Sequence, residues 1–150
     1  MKTYLNHSAW LLIFIIISIS GTISSCSTSD SELHALEMAP ISDLPADLRE
    51  AAISVSNSYR FALANQHVLE QVPCYCGCGT IGHNSVYACF VKDSLPDGEV
   101  VFDYHASGCG ICVDITLDAM RLTRQGKSPS QIKLIIDDTY AKFGISNMSE

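Results

Sequence analysis

Positive charge is scarce in this sequence. Nine Lys and Arg stand against sixteen Asp and Glu, a formal net charge of −7, with a pI near 5.0. Recognition of a polyanion needs a basic stripe, so no nucleic-acid partner is expected. Charge of either sign is sparse, at 17% of 150 residues against 47% hydrophobic, a balance that excludes a disordered tail or a coiled coil. Long hydrophobic runs are lacking too. The stretch Trp10–Ile19 is nearly all apolar but only ten residues long, whereas a spanning helix needs about 20. There is no P-loop and no Ser-His-Asp grouping with a recognisable nucleophile setting, so no catalytic residue is assigned and an enzyme is not expected. The length allows one domain.

What is present begins with a processing signal. Lys2, a polar stretch, the short apolar run and the small residues after it match a secretory signal peptide. Ile23-Ser24-Ser25-Cys26 resembles the lipobox of bacterial lipoproteins, an aliphatic residue and two small ones before a cysteine. That resemblance implies cleavage before Cys26 and acylation (palmitate) of its sulfur; the plainer alternative is a signal peptide that happens to contain a cysteine. The expected organisation is a signal peptide over 1–25, a lipidated Cys26 and flexible tether over 26–40, and a folded domain over 41–146. Residues 27–39 are rich in Ser and acidic residues, as a tether would be, and His34 within them carries no signal. Two or more acyl chains hold a protein at a membrane where one does so only marginally. The expected location is therefore extracytoplasmic, lipid-anchored to the cell membrane or outer membrane. Ser27 is not the aspartate that retains Gram-negative lipoproteins at the inner membrane, which leaves outer-membrane sorting open.

The remaining chain reads as mainly α. Ser42 or Asp43 can cap a helix with Pro45 in its first turn. Leu48, Ala51, Ala52, Val55, Tyr59, Ala62 and Leu63 continue it at helical spacing, with a break near Asn65 and an end before Pro73. His67, on a short turn that follows, reads as a surface or capping residue. Residues 73–109 are loop-rich, with a short helical piece over 85–92 and strand character over 99–104. Ile111, Ile115, Ala119 and Leu122 share a face of the next helix, which Gly126 closes. Ser128-Pro129-Ser130-Gln131 restarts the chain with a cap, an N1 proline and a capping-box glutamine. Ile132, Ile135, Ile136, Tyr140 and Phe143 form the last apolar stripe, with Gly144 as its C-terminal cap and a frayed tail beyond. The expected fold is a small single helical domain around a cysteine-rich loop region.

Six cysteines remain besides Cys26. Cys74, Cys76 and Cys78 form a C-x-C-x-C run after Pro73, Cys89 stands alone, and Cys109 and Cys112 form a C-x-x-C at the start of a helix. Three chemistries compete. Three structural disulfides suit an exported domain, but alternate residues of an extended chain lie near the upper limit of disulfide geometry. Each cysteine of the run would then need a distant partner. A thiol-disulfide redox protein would use Cys109 and Cys112 at a helix N-terminus, although no βαβ pattern precedes them. A thiol–metal site uses all six, with His83 and His105 flanking the clusters as nitrogen ligands. Six thiolates exceed the four that one zinc takes, while bridging thiolates allow several Cu(I) ions in one cluster, so Cu(I) is the first expectation and Zn the second. Asp103, Asp114 and Asp118 read as exposed acids, and Tyr75, Tyr87, Phe90 and Tyr104 as packing around the cysteines.

These residues resemble bacterial lipoproteins named for their P-C-Y-C-G-C motif. The resemblance rests on Tyr59-Arg60-Phe61-Ala62, Pro73-Cys74-Tyr75-Cys76-Gly77-Cys78, Gly82-His83, Cys89-Phe90, His105-Ala106, Cys109-x-x-Cys112 and the two closing helices. It implies an exported, lipid-anchored domain and assigns no activity. The sequence reading is a protein held to the membrane by its lipid that binds Cu(I) through Cys74, Cys76, Cys78, Cys89, Cys109, Cys112, His83 and His105. It would sequester the ion or pass it on, with a copper-handling membrane protein as candidate partner.

Overall fold

The computed structural model describes residues 34–148; the expected signal peptide and the lipidation site at Cys26 lie outside them. No helix among the described residues is long and apolar enough to cross a membrane. The fold is mainly α, as expected, and the single sheet among these residues is a two-stranded hairpin.

Two long helices at the C-terminal end follow directly from local sequence. One, α4 (Gly110–Arg124), buries Cys112, Val113, Ile115, Thr116, Ala119 and Leu122 and carries Arg121 and Arg124 in its last turn, where cations complement the helix dipole. It stops in a Schellman turn. Gly126 adopts φ +73°, its N–H donates to the Thr123 carbonyl at 2.9 Å, and Lys127 N–H donates to Leu122 at 3.1 Å. The expected capping box then opens α5 (Pro129–Tyr140): Ser128 accepts from Gln131 N–H, and the Gln131 side chain accepts from Ser128 N–H. The apolar stripe of α5 is narrower than expected, because Ile132, Ile136 and Tyr140 are buried whereas Ile135 and Phe143 are exposed.

The N-terminal half departs more from the periodicity. Ser42 and Asp43 lie in a 3-10 turn (Ile41–Asp43) and cap nothing; Pro45 itself occupies the N-cap of α1 (Ala46–Glu50). Extended backbone at Ala51 and Ala52 separates α1 from α2 (Ile53–Ala64). Asn65, at φ −128°, provides the expected second break before the short α3 (Gln66–Leu69). Its side-chain amide donates to the carbonyls of Glu37 at 2.9 Å and Phe61 at 3.0 Å. Glu37 belongs to the end of the segment read as tether, and that end is docked. His34 N–H reaches the Arg124 carbonyl, Ala39 N–H the Arg60 carbonyl, and Arg60 Nε donates back to Ala39 at 2.8 Å.

In place of a helical piece over 85–92 there is one 3-10 turn, Tyr87–Cys89, followed at once by β1 (Val91–Ser94). β1 pairs antiparallel with β2 (Val100–Phe102), the strand expected over 99–104, in the register Val91↔Phe102 and Ser94↔Val100, with an irregularity between Val91 and Asp93. Helix α4 packs against α2 on one side and α5 on the other. Tyr59, Phe61, Leu69, Val72, Phe90, Ile115, Ile132 and Ile136 fill the core between them. Tyr59 and Phe90 meet edge-to-face with centroids 4.9 Å apart, a favoured geometry for a buried aromatic pair. Phe90 follows Cys89 and Tyr59 reaches Asp103, so this pair fixes the floor on which the cysteines converge.

Candidate metal centre

Three separate stretches of backbone deliver the sulfurs. Cys74 and Cys76 sit on irregular chain after Pro73. Gly77, at φ +84°, then swings the chain into the 3-10 turn Cys78–Ile81, which Gly82 leaves at φ +92°. A side chain at either glycine would be strained in that left-handed conformation. Gly77, Gly79 and Gly82 have the G-x-G-x-x-G spacing, but they neither follow a strand nor open a long helix, so the spacing does not mark a dinucleotide-binding loop. The turn at 87–89 brings in Cys89. His105 leads the 3-10 turn Ala106–Gly108, after which Cys109 occupies the N-cap of α4 and Cys112 its first turn.

All six cysteines meet. Cys74 Sγ lies 3.5 Å from Cys76 Sγ and 3.5 Å from Cys112 Sγ, and Cys76 and Cys112 are 3.7 Å apart. Cys78 and Cys89 are 3.6 Å apart. A disulfide needs about 2.05 Å; all six are free thiols, and the stapled-module alternative finds no disulfide among the described residues. Both expected histidines join them. Donor atoms of Cys76, His105, Cys109 and Cys112 lie within 4.8 Å of one another, as do those of Cys78, His83, Cys89 and His105. Cys74 belongs to two further groups at the same limit, one with Cys76 and Cys78 and one with Cys89 and Cys112. These separations match donors that share a cation at ordinary metal–sulfur and metal–nitrogen distances. The cluster can hold a metal ion.

The electrostatics centre on one sulfur. Hydrogen bonds with Cys112 and then Cys89 outweigh burial and hold the Cys74 thiol far below its ordinary range. Cys112 shifts the opposite way, because its hydrogen bonds to Cys74 and Cys89 and its burial favour the protonated form. Burial, then the charge on Cys74, raises Cys76 and Cys78. The opposite shifts make Cys74 the sulfur of the cluster that most readily gives up its proton.

Asp103, read from sequence as an exposed acid, belongs to the site. Its Oδ2 lies 3.3 Å from His83 Nε2, and its Oδ1 accepts from His105 N–H at 2.7 Å. Tyr59 Oη donates to the Asp103 carbonyl at 2.7 Å, and Asp103 N–H to the Phe90 carbonyl at 2.9 Å. With Nε2 turned to the carboxylate, His83 Nδ1 is buried without any hydrogen-bond partner. A carboxylate on one ring nitrogen and a free lone pair on the other is the arrangement of a metal-ligating histidine. The signal was available: an Asx turn joins an Asp to the N–H two residues on, and Asp-x-His at 103–105 has that spacing. Asp114 and Asp118 stay outside the cluster; Asp118 accepts from Tyr140 Oη at 2.8 Å. Of the four aromatics expected around the cysteines, Phe90 and Tyr75 are buried, Tyr87 is partly buried, and Tyr104 is 47% exposed.

The tail is not frayed at Asn147. Cys74 N–H donates to Asn147 Oδ1 at 2.6 Å, Asn147 N–H donates to the Cys74 carbonyl at 3.0 Å, and Asn147 Nδ2 approaches Cys78 Sγ at 3.5 Å. Gly144 is extended (φ 171°) and not a left-handed cap; any side chain there would meet the Tyr75 carbonyl at 2.6 Å. No sequence pattern marks either contact. A large surface groove of about 890 Å³, lined by Ala39, Leu44, Val100 and Phe102, lies apart from the cluster and includes none of its ligand candidates.

Comparison with known proteins is consistent with this picture and adds no activity. No curated protein and no solved structure matches the chain. A family model described as a protein of unknown function with PCYCGC motif matches residues 15–147. The chain therefore belongs to the PCYCGC-motif family.

Proposed function

We propose that this protein binds soft metal ions, Cu(I) foremost and Zn second, through Cys74, Cys76, Cys78, Cys89, Cys109 and Cys112 with His83 and His105. It does so on the extracytoplasmic face of a membrane to which Cys26 anchors it. The observation that supports this is the convergence of six unlinked thiols and two imidazoles, with donor atoms in groups no wider than 4.8 Å. Thiolate-rich donor sets favour Cu(I) or Zn over hard cations, and more sulfurs than one tetrahedral ion takes favour thiolate-bridged Cu(I). The role is to sequester copper or pass it to a membrane protein, with no catalytic step.

Elemental analysis of the full chain, purified anaerobically in mild detergent, tests this, with thiols counted on the same sample. Bound copper, or stoichiometric Cu(I) uptake by a protein with titratable thiols, is the expected result. No metal, no free thiol and no loading after mild reduction would overturn it. Acyl mass on a peptide that begins at Cys26 tests the anchor separately.

A further inference from the structure

Eight donors are too many for one ion. Cys76 and Cys78, Cys89 and Cys112, and His105 with either side all lie within 4.8 Å, but the shortest sulfur contacts fall into two sets. Cys74 Sγ is 3.5 Å from both Cys76 and Cys112, which are 3.7 Å from each other. The same Cys74 Sγ lies within 4.8 Å of Cys78 and of Cys89, which are 3.6 Å apart. Two triangles of sulfur thus share one corner. A thiolate has lone pairs enough to bridge two soft cations, and a soft four-coordinate ion accepts a triangle plus one or two further donors.

The two triangles differ in access to solvent. Cys78 (3% exposed), Cys89 (0%) and His83 (9%) are closed off from water. They are also held from behind: Asp103 fixes the His83 ring, and Asn147 Nδ2 reaches Cys78 Sγ. On the other side Cys76, Cys109 and His105 are only partly buried, and Cys112 alone is sealed. Cys76 Sγ is 3.4 Å from His105 Nε2, so the accessible donors form one edge.

We infer that the cluster is a two-ion centre bridged by Cys74, with an inner ion on Cys78, Cys89 and His83 that stays and an outer ion on Cys76, Cys109, Cys112 and His105 that is exchanged. The inference rests on the metal-binding reading above and assigns it a division of labour. The inner ion ties the 74–78 loop to the 87–89 turn and shapes the outer site; the outer ion is the cargo. Exchange proceeds at the Cys76–Cys109 edge. An incoming thiolate forms a bond to the outer ion as the bond from Cys109 Sγ breaks, the ion keeps its charge, and the freed thiolate takes a proton from water. The inner ion admits no such approach, because no inner ligand presents an exposed face to an incoming donor.

The test is loading of the full chain with Cu(I), followed by release to an excess of a bidentate Cu(I) chelator monitored by absorbance. Two ions per chain are expected, leaving in two resolved phases of equal amplitude, the faster from the accessible outer site. Cys109→Ser abolishes the fast phase and retains the slow one, and Cys89→Ser removes the slow one. In the unmutated protein, alkylation after the fast phase labels Cys109 and Cys76 while Cys78 and Cys89 stay protected. That readout stands even if a variant fails to fold. One ion per chain, more than two, release in a single phase, or uniform alkylation would overturn the two-ion division while leaving metal binding intact. Failure to bind any Cu(I) would instead remove the reading on which it rests.

Discussion

Asn147 pairs with Cys74 across 73 residues of sequence, donating its backbone N–H to the Cys74 carbonyl and accepting the Cys74 N–H on its side-chain oxygen. The same side chain donates to the Ser85 carbonyl at 3.1 Å, so one residue ties the first cysteine to the loop that leads to Cys89. Asn147→Ala removes an acceptor from a buried backbone donor and a donor from Ser85, at a cost of about 1–3 kcal/mol. Urea denaturation of the metal-free protein should show that loss, and Cu(I) affinity should fall with it. Unchanged stability and affinity would mean that the tail lies on the site without holding it.

Asp103 acts through His83. Asp103→Asn keeps an oxygen for the His105 N–H and removes the negative charge beside His83 Nε2. Loss of an outer partner of this kind costs about 10–100-fold in metal affinity. Competition with a chelator should show that loss, while circular dichroism and the urea midpoint of the metal-free protein stay close to the original. A residue that served only the fold would move the midpoint and not the affinity.

Cys76 touches both Cys74 and His105 and is only partly buried, so its thiol can be replaced with little effect on packing. Cys76→Ser should lower copper stoichiometry or affinity with the helical signal intact. Copper binding equal to that of the unmutated chain would exclude Cys76 from the site.

Legibility from sequence follows the range of the interactions. The Schellman turn at Gly126 and the capping box at Ser128 are local, use residues within one turn, and were readable as written. Glycine serves two purposes, and at 144 it permits close approach to the Tyr75 carbonyl and does not supply the left-handed φ of a helix cap. The first helix looked continuous because Ala51 and Ala52 are good helix formers. The break at Ala51, in extended conformation, has no local signal in the sequence. In the centre the ligand candidates were legible because thiol and imidazole chemistry is rare and their spacing is tight. For Asp103 only the Asx turn to His105 is local; its contact with His83 and that of Asn147 with Cys78 depend on partners 20 and 69 residues away and leave no sequence pattern. The grouping of donors around Cys74 needed coordinates, as spacing says which sulfurs are near in the chain and not which share a corner.

The thiol cluster makes the metal-free fold sensitive to alkali. Burial and the charge on Cys74 raise Cys76 and Cys78 above the ordinary thiol value of 9.0, and hydrogen bonding to Cys74 raises Cys112. Tyr75 is pushed up to about 12 by burial and then by its hydrogen bond to Asp137. For a group whose folded pKa is raised, the folded state binds more protons than the unfolded one wherever pH exceeds the unfolded value. Its contribution is complete below that value and is lost as pH rises toward the folded one. The thiols therefore begin to cost stability above about pH 9 and Tyr75 above about pH 10. Cys74 runs the other way. Its pKa is depressed, so its contribution is present above the unfolded value and fades as pH falls. The urea midpoint of the metal-free protein should consequently drop between pH 8 and about pH 10.5. Bound metal replaces the thiol protons, so the loaded protein should lose that alkaline decline and weaken instead toward acid, where protons compete for the sulfurs. Parallel pH profiles for the loaded and metal-free forms would mean that the ion is not held by these thiols.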